Sequence, residues 1–443
     1  MVTEQSNPVT LIVLGGGQRG VVYANYALHN PHLAKVVAVA DPREARRKIF
    51  ARQHHLADDR LFSDWEEVAK LPRFADAVLV TTLDQLHAPA VSVFSKLGYH
   101  ILCEKPMATE ISDCVNMVKE IQGSAGTSPT GHPLIFGVGH VLRYSPYNRA
   151  VKEVIDSGVL GDIVNIQHME PVGNEHFAHS FVRGNWGKEH ETTFALMAKC
   201  CHDLDILSYY LDGRKPNRIS SFGSVAHFKP SKKPAAAGDV KRCLDCKAEK
   251  DCVWSAQKIY LDALEPDSKR RVGWARVIVH DTDVTKENVT RALEEGPYGI
   301  CVYEAGNDVV DHQVVNIEYD GGVTANMTMS AFTEAECARR TVIQGTRGEL
   351  VGDMNTFTVF DFLSRSSRTV VPDNGVGAHG GGDGVLAECF VAAVANDDQS
   401  LLGVTPDDIL NSHLTVFAAE KARHENRVVD FDEFKRQVVD KAA

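Results

Sequence analysis

An apolar run ends at ILCEKPMA, residues 101 to 108, in a glutamate, a lysine and a proline. Neighbouring side chains on an extended backbone point to opposite sides, so Glu104 and Lys105 address different surfaces. An exposed ion pair between them would contribute little. At a strand end, one can meet a bound cofactor while the other meets a substrate. A second set of residues says which cofactor. Gly15, Gly17 and Gly20 form G-x-G-x-x-G between a strand pattern and a helix pattern. Such a loop lets the backbone approach a pyrophosphate, and the helix start supplies free N–H groups and a positive dipole end. Asp41 closes the next strand, 41 − 20 = 21 residues past the last glycine, where a carboxylate accepts adenosine ribose hydroxyls. Asp41 repels a 2′-phosphate and favours NAD, whereas Arg43 could accommodate the phosphate of NADP. Gln18 and Arg19 inside the loop complete this set.

A further strand end, VTTLDQLHAPA, offers Thr81, Thr82 and His87 to the nicotinamide ribose. The stretch from 172 to 192 gathers His176, His179, Ser180, Arg183, Asn185 and Trp186. Directional donors beside an aromatic face suit a polyhydroxylated sugar, and an arginine could grip an anionic group. His179, Arg183 and Trp186 are the principal candidates there. His379 and Asp383, around the glycine run of GAHGGGDGVL, offer a second wall, and Asp311 with His312 a third. Each also fits an ordinary polar loop.

Ten cysteines are too few for a disulfide scaffold in a chain of 443 residues, but four are grouped: Cys243, Cys246 and Cys252, with Cys301 further on. A C-x2-C pair places two sulfurs on one ion, and four thiolates are a structural zinc set. An iron–sulfur cluster uses the same ligands at a less typical spacing, and unpaired thiols are the remaining reading.

These residues need elements to hold them. Up to residue 139, short β-branched runs alternate with helical periodicity, the signature of a parallel sheet covered on both faces. From 140 to 443, longer alternating runs joined by turns such as YDGG and GTRG predict an α+β domain on a large open, mainly antiparallel sheet. Residues from about 229 to 300, opening KPSKKPAAAGD, read as a cysteine-bearing insertion. A formal charge of −12 argues against nucleic acid or an anionic membrane as partner. The N-terminal apolar run is too short for a signal sequence or membrane span, and a cytoplasmic protein is expected.

The combination of Gly15-x-Gly17-x-x-Gly20, Thr81 to His87, Glu104-Lys105-Pro106 and VLRYSP at the start of the second domain resembles the glucose-fructose oxidoreductase and inositol dehydrogenase family, Gfo/Idh/MocA, over nearly the whole chain. The resemblance implies that Lys105 hydrogen-bonds the reacting oxygen, that Glu104 sits near the nicotinamide ribose, that a cis bond precedes Pro106, and that Arg143 of VLRYSP lines the substrate site. The family usually places an Asp four residues before a His on one helix of the second domain. Here His202 is present but Ala198 holds the Asp position. Lys199, three residues before His202, shares its helix face, so a base and a cation could converge on one oxygen. The expected activity is NAD(P)-dependent hydride transfer at a secondary alcohol or carbonyl of a sugar or polyol. An NAD-dependent glycosidase and a non-catalytic nicotinamide sensor are the rival readings. A homodimer or homotetramer would cover the open sheet.

Overall fold

The computed structural model describes residues 7–279, 283–374 and 378–441. The first sheet contains six parallel strands: β1 (Val9–Leu14), β2 (Ala34–Ala40), β3 (Leu61–Phe62), β4 (Ala77–Val80), β5 (His100–Cys103) and β6 (Phe136–Val138). Their spatial order is β3-β2-β1-β4-β5-β6, so the order reverses beside β1. Strands β4 and β5 are buried at every position, as parallel strands covered by helices must be. Ligands in such sheets bind beyond the carboxyl ends of the strands at the reversal point. The glycine loop, Thr81 and Glu104 all follow directly from the strands β1, β4 and β5.

The second sheet has nine strands: β7 (Ile163–Pro171), β8 (Pro216–Ser224), β9 (His312–Tyr319), β10 (Thr324–Ser330), β11 (Arg340–Gly345), β12 (Gly348–Gly352), β13 (Phe357–Asp361), β14 (Ser366–Val370) and β15 (Val429–Asp430). They run in the order β14-β13-β12-β11-β7-β10-β9-β8-β15, antiparallel except for the pair β10 and β7. Strict alternation of burial along β9 and β10 shows one face packed and one open. The buried face receives the helices Ala195–Tyr210 and Pro406–Glu425. The latter also reaches back to the first domain, where Nε2 of His413 accepts the Met107 backbone N–H at 3.0 Å. This ties the loop after Glu104 to the second domain.

The insertion is built from short turns and the helices Val272–Ile278 and Lys286–Glu295. An antiparallel bridge between Arg242 and Ile300 closes its base. Among the described residues, no helix is long and apolar enough to cross a membrane.

Candidate active site

The loop after β1 is shaped for a ligand at one glycine and for packing at the others. A Cβ on Gly15 would lie 2.3 Å from the Thr81 carbonyl oxygen, and one on Gly20 would lie 2.1 Å from the Gly15 carbonyl oxygen. At Gly17 the nearest atom would be Nη2 of Arg43, 3.8 Å away. Gly17 is thus the glycine whose bare backbone opens onto free space. It also caps the helix Gln18–His29 with no side-chain acceptor, leaving that helix's first N–H groups for an anion. Thr82 Oγ1 is buried without a partner in the same region. These features fit a dinucleotide pyrophosphate and ribose. Asp41 is buried at the end of β2, clasped by Arg43 through Nε at 3.0 Å and Nη2 at 3.0 Å.

Several other residues of this set are committed to the scaffold. Thr81 Oγ1 donates to the carbonyls of Leu14 and Gly15, at 3.0 and 2.7 Å, and so locks the glycine loop. His87 bridges the Pro106 carbonyl at 2.7 Å and the Thr82 carbonyl at 3.2 Å. Both were expected to line the ribose, but their polar atoms are engaged by backbone. Arg19 turns from the loop to Glu104 at 2.5 Å and Asp383 at 2.6 Å, while Gln18 lies exposed at the helix start.

Glu104 and Lys105 do face opposite partners. Glu104 accepts from Arg19 and from the Tyr23 hydroxyl at 2.9 Å, on the first-domain side. Burial alone would raise its pKa, but Arg19 and Lys105 outweigh this and keep the carboxylate below its ordinary value. Lys105 Nζ donates to the Ala198 carbonyl at 2.6 Å, on the second-domain helix, and sits 5.6 Å from the Trp186 ring. The Lys105–Pro106 bond is cis. The lysine thus meets the backbone oxygen of residue 198, whose own side chain is a methyl group.

His202 projects from the helix Ala195–Tyr210, fully buried, with Nδ1 lacking a partner and the His379 ring 5.8 Å away. Burial first, then the Lys105 charge, hold its pKa well below that of an ordinary histidine. His379 in turn bonds Asp383 at 3.1 Å, which receives Arg19. The imidazole is neutral and open to a proton. Lys199 is a different case. Its ammonium lies 3.0 Å from Cys337 Sγ and 3.4 Å from Glu170. Burial alone would lower its pKa, yet Glu170 and Cys337 more than reverse that and raise it. Glu170 also pairs with Arg339, which grips Asp203 at 2.7 Å. Lys199 is a fixed cation beside the site and not a proton carrier.

Three expected substrate contacts are turned elsewhere. Arg143 makes a buried two-point pair with Asp205, at 2.5 and 2.7 Å, and belongs to the core of the second domain. His179 bonds the Tyr260 hydroxyl at 2.9 Å and stacks on Tyr298. Arg183 donates to the carbonyls of Ile300 and Trp254, both at 2.7 Å. The wide turn Ala178–Arg183 rotates both residues away from Lys105 and into the insertion. Trp186, from the same wall, does reach the site: its indole N–H donates to Asp84 at 2.8 Å, beyond β4. His176 and Cys337 complete the surroundings, with the thiol 3.5 Å from His176 Nδ1. The sequence gathers His176 in the 172–192 wall but gives no sign of Cys337; only the fold brings Cys337, in the loop before β11, to Lys199. The four cysteines of the insertion lie around one cavity behind this wall.

Residues 9–127 match an oxidoreductase family described as having an NAD-binding Rossmann fold, and residues 152–362 match its C-terminal alpha/beta domain. YteT of Bacillus subtilis is 24% identical over 370 residues, 79% of each chain. The 2,7-anhydro-N-acetylneuraminate hydratase of Escherichia coli is 27% identical over 223 residues, about half of each chain: 49% of this one and 54% of that one. The solved structure of a levoglucosan dehydrogenase with NADH and levoglucosan superposes with a TM-score of 0.68 at 17% identity, covering 96% of this chain and 100% of that one. With both domain matches in chain order and the glycine loop, Glu-Lys-Pro turn and second-domain histidine converging at one crevice, the chain belongs to the Gfo/Idh/MocA family of NAD-binding oxidoreductases.

Proposed function

We propose that the chain is an NAD(P)-dependent dehydrogenase or reductase that moves hydride between the nicotinamide and a secondary alcohol or carbonyl of a sugar, polyol or sugar derivative. The carrying observation is geometric: Lys105, just after β5, donates to the Ala198 carbonyl at 2.6 Å, on the helix that one turn later carries His202, whose buried Nδ1 has no partner. The bound nicotinamide supplies the hydride acceptor or donor. Gly17, the helix start at Gln18, Thr82 and Asp41 would hold the cofactor. For oxidation, the Lys105 ammonium donates to the substrate oxygen and stabilises the alkoxide as it develops, while His202 takes the hydroxyl proton. Trp186 offers an apolar plate for sugar C–H bonds. Lys199, tied to Glu170, contributes fixed positive charge.

Relatives named as inositol 2-dehydrogenases support a polyhydroxylated substrate. Asp41 favours NAD, and assay with both nicotinamides over a panel of sugars, sugar acids and inositols would identify the pair. Lys105→Met is expected to leave the cofactor Kd within about threefold and to reduce kcat by roughly three powers of ten, the scale of a lost electrostatic and acid–base contact. Near-normal turnover would overturn the assignment. Similarity to a hydratase favours one second reading, in which the substrate is oxidised transiently and NADH is recycled within each turnover. NADH accumulating in step with product would exclude it. A second copy over the open face of the nine-stranded sheet would complete the assembly, and sedimentation would read that state directly.

A further inference from the structure

Three buried side chains hold the backbone around Lys105. Its own N–H donates to Glu104 Oε2 at 2.6 Å. The Pro106 carbonyl meets His87 Nδ1 at 2.7 Å, from the helix His87–Lys96 of the first domain. The Met107 N–H donates to His413 Nε2 at 3.0 Å, and this third support crosses from the second domain. Met107 and His413 are both fully buried. Loss of that acceptor would leave a buried N–H unsatisfied or force the turn to move.

The partners of His413 fix its chemical state. A backbone N–H only donates and a carbonyl only accepts, so Nε2 carries no proton and Nδ1–H donates to the Ile409 carbonyl, at 2.9 Å, one turn earlier on its helix. A histidine needed only for packing would be satisfied by that bond within its own helix. The other nitrogen is instead committed to a main-chain group of the first domain, two residues past the lysine. The ring is also braced from the side of His202. His140 stacks on it with ring centres 5.0 Å apart, and His140 Nδ1 lies 3.1 Å from Asp205. Asp205 accepts from Ser412, the neighbour of His413, at 2.7 Å, and follows His202 by three residues on the helix Ala195–Tyr210. The contacts therefore close a ring. Lys105 reaches that helix through the Ala198 carbonyl, and the helix reaches back to Lys105 through Asp205, Ser412, His413 and Met107.

We infer that His413 is a positioning residue that sets where Lys105 stands relative to His202 across the domain boundary, an inference that rests on Lys105 acting at the reacting oxygen. Misplacing such a group by about 1 Å costs roughly a hundredfold in rate. In this role His413 acts only through the turn.

The test compares variants of the full chain, assayed with NAD and the inositol, sugar or sugar acid that the unaltered protein oxidises fastest. His413→Gln places an acceptor at the Nε2 position, whereas His413→Asn ends near Nδ1 and leaves the Met107 N–H without one. The kcat of His413→Asn is expected to fall about a hundredfold, with KM and the NADH Kd each within about threefold, and His413→Gln should recover kcat to within about fivefold of the unaltered protein. Because the loss acts through the lysine, adding His413→Asn to Lys105→Met should lower kcat by less than about threefold further. Equal kcat for the Gln and Asn variants, or a full hundredfold loss repeated in the Lys105→Met background, would overturn the inference and leave the role of Lys105 intact. Near-normal turnover of Lys105→Met alone would remove both. Thermal melts accompany each variant. Should His413→Asn not fold, His413→Phe, which keeps a ring against His140 and also offers no acceptor, takes its place in the same comparison.

Discussion

His202 makes a specific demand on pH. Oxidation requires its neutral form, and burial together with the Lys105 charge lowers its pKa well below 6.5. The base is therefore ready throughout the neutral range and is lost only when the pH falls through the depressed value. The acid limb of kcat/KM for alcohol oxidation, which reports the free enzyme, is expected well below pH 6.5. A limb centred at or above 6.5 would show that His202 is not the titrating base. This residue was legible in the sequence because the chain resembles a family that carries a histidine on this helix; the helix period added only that Lys199 shares its face. The partners of Arg143, His179 and Arg183 were not. An arginine in a polar stretch reads the same whether it meets a substrate or a buried carboxylate such as Asp205, and only tertiary packing distinguishes them. Lys199 shows the same limit: its position relative to His202 is readable, but Glu170, which fixes its charge, comes from β7.

Among the elements, the glycine loop separates packing from binding. Gly20→Ala would drive a Cβ to 2.1 Å from a carbonyl oxygen, and the loop must shift, at a cost of about 1–3 kcal/mol typical of overpacking. Gly17→Ala meets nothing closer than 3.8 Å, from the movable end of Arg43. Gly20→Ala is expected to lower both Tm and cofactor affinity, whereas Gly17→Ala should leave Tm nearly unchanged and weaken NADH binding about tenfold or more. Fluorescence titration beside thermal melts checks both; unchanged NADH affinity in Gly17→Ala would remove that position from the pyrophosphate contact. The strand–helix rhythm made this element readable, since parallel strands covered on both faces are nearly continuous in hydrophobicity. The helix Ala195–Tyr210 was less so, because it is buried almost all round and its pattern selects no single inward face. The wall from 172 to 192 was harder still: a wide turn sends its polar residues in two directions, a rotation that composition does not encode.

The whole molecule holds several of its histidines in a dry, neutral state, and that links stability to acid. Burial, reinforced by a neighbouring positive or titratable group in each case, lowers His54 to about 4 and both His179 and His413 to about 3. His176 and His202 are lowered in the same way. Each folded pKa lies beneath the unfolded value near 6.5, so below that pH the unfolded chain takes up protons that the native state refuses. Stability from this source is complete above about pH 7 and declines as the pH falls from 6.5 toward 4. At pH 5 the three residues with the best-defined shifts lose about 1–2 kcal/mol each. For a chain of this length, that sum lowers Tm by roughly 3–6 °C between pH 7 and pH 5, by the usual unfolding entropy per residue. Scanning calorimetry at the two pH values checks the total. His54 allows the cause to be isolated, because it stacks on Phe50 at 5.5 Å and takes no part in the site. His54→Phe retains an aromatic ring there and removes one proton acceptor, so its Tm should fall less between pH 7 and pH 5 than that of the unaltered chain. An equal fall in both proteins would mean that the acid sensitivity arises elsewhere, in the buried carboxylates Asp203 and Asp205, which must themselves be protonated as their ion pairs are lost.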